Sequence, residues 1–176
     1  MMLKLIFKFT LKDRADEAKL FRVEVIYSSK LGESREWDVY VSALFEAFEY
    51  TPPTSTYLNI FPLNYTIGYF GDIPASLVVW RHVNINSVGN NLIFIEFFKY
   101  LQDYKERGIV KLTLDTFVKY YLKTINANIE KNMLFYTPNS TPMEEIASCG
   151  YEIRVFNHSD FQINDLNGVL IYLIIL

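Results

Sequence analysis

The sequence predicts an α+β fold: an N-terminal antiparallel β-meander joined to a C-terminal β-α-β-β unit, with helices packed on one sheet face. Three patterns carry this expectation. The N-terminal part alternates apolar and polar residues with period two, as strands with one wet face do. The middle holds stretches of helical period. The C-terminal part sets strand-like runs around one capped helix.

Leu3, Leu5, Phe7, Phe9 and Leu11 share one face of a first strand, against Lys4, Lys8 and Thr10. Phe21, Val23, Val25 and Tyr27 repeat the pattern opposite Arg22 and Glu24, and Trp37, Val39 and Val41 give a shorter third copy. The polar connectors Lys12–Lys19 and Ser28–Arg35 are short enough for hairpins. Ser42 then caps a short helix carrying Leu44, Phe45 and Phe48, stopped by Pro52-Pro53. Strand-like runs follow at 56–61, 65–70 and 76–85, punctuated by Pro62, Gly71 and Pro74. Asn91 is the expected cap of a helix over 92–106 with Phe94, Phe97, Phe98, Leu101 and Tyr104 inward, and Glu96, Lys99 and Asp103 along its wet face. Gly108 ends it. Thr113 is the expected cap of a second helix over 114–126, where Leu114, Phe117, Val118, Tyr121, Leu122 and Ile125 keep the helical period. Met133–Tyr136 reads as a strand, and Thr141-Pro142-Met143-Glu144 as a capping box opening a helix that Gly150 stops. Tyr151–Phe156 is the next strand, expected to run parallel to the previous one through a right-handed crossover. Asn167-Gly168 turns the chain into Val169–Leu176, apolar on both faces and therefore a central strand.

Composition bounds the function classes. With 176 residues, 51% of them hydrophobic and 21% charged, the chain is expected to form a single compact domain over 1–176, and disorder is excluded as its main state. The single cysteine, Cys149, excludes an intramolecular disulfide framework and a multi-cysteine zinc site. No apolar run reaches the ~20 residues of a spanning helix, and Lys4 and Lys8 break any signal-peptide core, so a cytoplasmic location is expected. The abundance of Phe and Tyr (14 and 13) over Gly and Pro (7 and 6) fits AT-rich codons, hence a viral or mobile-element genome and a host cytoplasm. The net charge of −3 is uneven: residues 99–131 carry +3 and residues 132–176 carry −4. A strongly basic nucleic-acid binder is not expected, and only residues 99–131 lean that way. There is no P-loop, no G-x-G-x-x-G, no C-x-x-C and no H-E-x-x-H. No cofactor and no metal site are expected.

Three functional readings compete. The first is a small non-enzymatic interaction or regulatory protein, binding another protein or itself as a homo-oligomer. Its basis is the stretch 51–98, where Asp72, Arg81 and Glu96 are the only charges and Tyr57, Phe61, Tyr65, Tyr69 and Phe70 stand among neutral residues. Depleted charge with enriched aromatics is the composition of an interface centre, and equally of a domain core. The second is a hydrolase or metal-dependent nuclease. Two parallel strands would bring the loops 137–141 and 157–160 to one sheet edge, where α/β ligand sites lie, gathering Asn139, Ser140, Thr141, His158, Ser159 and Asp160. His158 and Asp160 would be a base and its orienting partner, and Ser140 a nucleophile, although capping and turn roles explain the same residue types. Asp72, Glu96, Glu152 and Asp160 are the carboxylates available for a metal. Glu152-Ile153-Arg154 resembles the acid-x-base pair of restriction-type nucleases with Arg in place of Lys, and equally suits a surface ion pair. His82, the only other histidine, reads as a satisfied sheet residue. The third is weak nucleic-acid binding through helices 92–106 and 114–126, with Lys99, Lys105, Arg107, Lys111, Lys119 and Lys123 as cations diluted by Asp103, Glu106 and Asp115.

Overall fold

The structure, a computed structural model, describes residues 3–12, 18–27, 43–51, 63–85, 89–117, 132–136, 143–156 and 171–175. The expected strand Trp37–Val41, the run 56–61, the capping residue Thr141 and the expected helical residues 118–126 lie outside the described residues.

The fold is α+β, built on one eight-stranded sheet in the order β1-β2-β3-β4-β5-β6-β8-β7. β1 (Leu3–Lys12), β2 (Ala18–Tyr27), β3 (Asn64–Phe70), β4 (Ile73–Ile85) and β5 (Gly89–Tyr100) pair antiparallel in chain order. The alternation in β1 and β2 sets their register, with Phe7 opposite Val23 and Phe9 opposite Phe21. Gly71, at φ 58°, supplies the left-handed residue of the two-residue turn between Phe70 and Ile73.

Two apolar clusters lie on the two faces. On one, Phe21, Val23, Val25, Val78, Trp80, Ile93, Ile95 and Phe98 meet α2 (Ile109–Thr116) and α3 (Met143–Ser148) through Ile109, Leu114, Phe117 and Ile146. On the other, Ile26, Tyr65, Ile67, Leu77, Val79 and Phe97 pack against α1 (residues 43–47) and the turn after it through Leu44, Phe45 and Phe48. The described helices therefore take both faces, two on one side and α1 on the other. This also corrects the wet face expected of β2: Glu24 is 4% exposed. The turn after α1 closes before Pro52: Glu49 takes φ 53°, and the Tyr50 N–H donates to the Phe45 carbonyl at 2.8 Å.

The expected helix over 92–106 is a correction. Residues 89–100 are β5, followed by a 3₁₀ turn over Gln102–Arg107. Apolar residues occupy nearly every position from Leu92 to Phe98, so a helical period fits them only because any period does. Ile and Phe favour the pleat, and a strand buried on both faces reads as a continuous apolar run. A bulge between Val79 and Trp80 shifts the pairing with β5, so Ile93 and Ile95 share a cluster with Phe98, whereas Phe97 joins the other. Asn91 is a strand residue, not a cap, and the expected Glu96, Lys99 and Asp103 ridge does not exist. Glu96 meets Arg81, and Lys99 meets Glu49.

The following helix starts at Ile109 rather than at 114. Gly108, at φ 69°, precedes it, and Thr113 lies inside it instead of capping it. The Thr113 hydroxyl donates back to the Ile109 carbonyl at 2.7 Å.

The chain re-enters the sheet at β6 (Asn132–Tyr136), parallel to β5, with Ile93 opposite Met133. After α3, stopped by Gly150 at φ 87°, comes β7 (Glu152–Phe156). β8 (Ile171–Ile175) then inserts between β6 and β7, antiparallel to both. So β6 and β7 point the same way, as expected, but they are not neighbours. The apolar C-terminal run is central in this half of the sheet, as its two-faced hydrophobicity implies.

Candidate functional site

The register of the last three strands fixes where their loops begin. Tyr136, the end of β6, and Phe156, the end of β7, both pair with Ile171, the first residue of β8. Their onward chains therefore start at the same sheet edge on either side of β8, two strand spacings or about 10 Å apart. The candidates Asn139, Ser140, Thr141, His158, Ser159 and Asp160 all belong to these onward segments and lie outside the described residues. α3 has six residues, less than two turns, so it offers little dipole to an anion.

The carboxylates considered for a metal are dispersed. Asp72 sits on the exposed turn, 3.9 Å from Arg22 Nη1. Glu96 accepts from Arg81 Nε at 2.5 Å, in a pair whose side chains are 7% (Arg81) and 15% (Glu96) exposed. Glu152 lies on β7, three strands from β5 and so about 14 Å from its line. Its carboxylate accepts from Arg154 Nε at 2.6 Å in an exposed pair on the same strand, the surface ion pair that the spacing allows. Asp160 lies outside the described residues. Among the described residues, no three His, Cys, Asp or Glu converge on a metal position. His82 sets its ring edge-on to Trp80 at 5.3 Å between centroids.

Of the interface candidates, Tyr65, Tyr69 and Phe70 are 2%, 4% and 8% exposed, and all three belong to the core clusters. Tyr57 and Phe61 lie outside the described residues. Burial pushes the Tyr65 hydroxyl well above its ordinary range, and the charge of Glu96 adds to this. Arg22 stacks its guanidinium over the Tyr69 ring at 4.4 Å.

The nucleic-acid candidates lose their common scaffold, since β5 replaces the first helix. Lys99 meets Glu49 across to the turn after α1, and Lys111 donates to Asp115 at 2.8 Å within α2. Arg107 lies over the stacked rings of Phe70 and Tyr104. Lys105 is in the 3₁₀ turn, its side chain outside the described set, as are Lys119 and Lys123 entirely.

Sequence reasoning missed a set of buried polar contacts that lock the layers together. Trp80 Nε1 donates to Thr66 Oγ1 at 3.1 Å. Ser76 and Thr113 share a 2.6 Å bond, and because the Thr113 proton goes to Ile109, Ser76 is the donor. Tyr100 donates to Glu145 at 2.7 Å, and Tyr151 to Asp115 at 2.5 Å, tying the sheet to α3 and α2. Partial burial pushes the Tyr100 hydroxyl up to about 12, and its bond to Glu145 reinforces this. Burial likewise raises the Cys149 thiol, so it is held protonated rather than activated. A period-two polar residue inside an apolar run, such as Thr66 or Ser76, was the available signal, but nothing local names its partner.

Comparison of the chain with protein-family models finds no match, and comparison with curated proteins finds none. No described helix is long and apolar enough to cross a membrane.

Proposed function

We propose that this protein is non-enzymatic and acts by protein–protein association, in the first place with a second copy of itself, through an open edge of its sheet. The observation that supports this is the position of β7. It is the last strand of the sheet, bonded on one side to β8, and no strand lies on its other side among the described residues. An unpaired edge is a template for another strand. Tyr151 and Ile153 stand half-buried at the margin of the core cluster beside α2 and α3, so apolar area remains to be covered there. The association expected of the segment 51–98 moves to this edge, because Tyr65, Tyr69 and Phe70 are spent inside the fold. Size-exclusion chromatography with light scattering tests the reading. A mass above 20.7 kDa at high micromolar concentration, falling toward 20.7 kDa on dilution, is expected. A monomer throughout refutes it.

A second reading is favoured by one observation, the shared pairing of Tyr136 and Phe156 with Ile171. A small-ligand or hydrolytic site between the two onward loops would use Ser140, His158 and Asp160. It requires that the chain hydrolyse an ester or phosphodiester probe and that His158→Ala abolish this with the melting temperature unchanged.

A further inference from the structure

We infer that β7 pairs antiparallel with the β7 of a second copy about a two-fold axis through Ile153, giving a closed dimer with one continuous sheet; this rests on the self-association proposed above. The inference comes from comparing the two ends of the sheet formed by the described residues. At one end, β1 belongs to a stretch, residues 1–12, with Lys4, Lys8 and Lys12 and no acid, and Lys8 is exposed. Two such edges brought together set lysine against lysine, a common guard of edge strands. At the other end, β7 presents Glu152 and Arg154, both exposed, two residues apart on one face.

That spacing is self-complementary in one register. A two-fold axis perpendicular to the sheet keeps each face continuous with itself and sets residue i opposite a residue of the same parity. Centred on Glu152 it opposes two glutamates, and centred on Arg154 it opposes two arginines. Centred on Ile153 it sets each Glu152 opposite the Arg154 of the other copy, so two ion pairs form and both charges change partner. The pair they leave, Glu152 with Arg154 of the same strand, is exposed and holds little energy. On the other face the same axis brings the two Ile153 side chains together and covers the apolar margin that they and Tyr151 leave half-buried. An isologous contact of this kind closes at two copies.

Charge exchange on β7 tests this. Glu152→Arg puts four like charges across the axis, as does Arg154→Glu, and each is expected to raise the dimer Kd about 10- to 100-fold. The doubly exchanged chain, Glu152→Arg with Arg154→Glu, restores opposite charges and is expected to dimerise like the natural chain. An equimolar mixture of the two single variants is expected to form a heterodimer that neither forms alone. Far-UV circular dichroism should be unchanged in all three chains, and so should the urea midpoint at concentrations where the natural chain is itself monomeric, because both side chains are exposed. A variant that unfolds would still leave the double exchange to decide. A natural dimer indifferent to both single changes overturns the β7 pairing and leaves self-association standing. An open series of larger oligomers overturns the closed two-fold. A natural chain that is monomeric at high micromolar concentration overturns both.

Discussion

Gly68→Ala is the sharpest test of how the helical layer sits on the sheet. Gly68 lies on β3 opposite Ser76, on the face that α2 covers. A methyl group built there falls 2.5 Å from Ser76 Oγ, 2.9 Å from Thr113 Oγ1 and 3.4 Å from Phe21 Cε2. Its backbone needs no special φ, so Gly68 is present for room. The two oxygens cannot yield freely. Ser76 donates to Thr113 at 2.6 Å, and Thr113 donates to the Ile109 carbonyl at 2.7 Å, so moving either breaks a buried chain of hydrogen bonds. Overpacking costs about 1–3 kcal/mol, and a buried hydroxyl left without its bond about 1–3 more. Relief of the glycine's unfolded-state entropy returns about 0.5–1. The expected loss is about 2–4 kcal/mol, read from urea unfolding at constant m. Ser76→Ala alone costs about 1 kcal/mol through the lost bond. In the Gly68→Ala background it removes the nearest clash, so the double variant should be more stable than the sum by about 1–2 kcal/mol. A Gly68→Ala chain within about 0.5 kcal/mol of the natural one, or strictly additive changes, would show that α2 does not press on the sheet at this point.

Two further outcomes are expected. Arg81→Met leaves the half-buried Glu96 without this guanidinium and should cost about 3 kcal/mol, whereas Arg81→Met with Glu96→Leu should cost far less, because the pair repays its own desolvation only when both partners are present; equal and additive losses in urea unfolding would contradict this. Alkali should unfold the protein in a window set by its buried hydroxyls: the folded value of Tyr100 is raised from its ordinary 10 to about 12, so its contribution is complete below pH 10 and is lost as pH climbs from 10 toward 12. Tyr65 and Tyr151 are raised in the same direction. Tyrosinate absorbance at 295 nm should therefore rise in two phases, the second coincident with loss of far-UV signal, and a single phase near pH 10 in a folded chain would rule the account out.

The fold was legible where one face of an element stayed wet or where special residues marked its ends. β1 shows its alternation, α3 shows its glycine stop at Gly150, and β8 shows by unbroken hydrophobicity that it lies between two other strands. β5 was illegible for the same reason that β8 was legible. In β5 the run Ile93–Phe98 packs into both core clusters, but at twelve residues the strand is long enough to pass for a helix, and its bulge breaks the parity that would have betrayed a pleat. Glu24 misled in a related way. Its alternation with Val23 and Val25 is that of a half-wet strand, yet it is buried, with its carboxylate 3.1 Å from Arg22 Nε. Pattern reports which residues share a face; it does not report whether a later segment covers that face.

The candidate site divides along the same line. The common edge at which β6 and β7 end followed from direction alone: a capped helix between two strands turns the chain back the same way, whether or not a third strand enters between them. The insertion of β8 did not follow, because an apolar run carries no mark of which neighbours it will pair with. Its consequence reaches beyond the loops. By taking the place beside β6, β8 displaces β7 to the end of the sheet that the described residues form. Glu152 and Arg154 are thereby carried from the position of an adjacent parallel strand to that of an edge, where a charged pair is tolerated and can face a second copy. In the adjacent-strand arrangement their ion pair would have been a detail of the surface. At the edge it selects one register of self-pairing out of three, which is why the topology, and not the pair by itself, carries the assembly proposed for this protein.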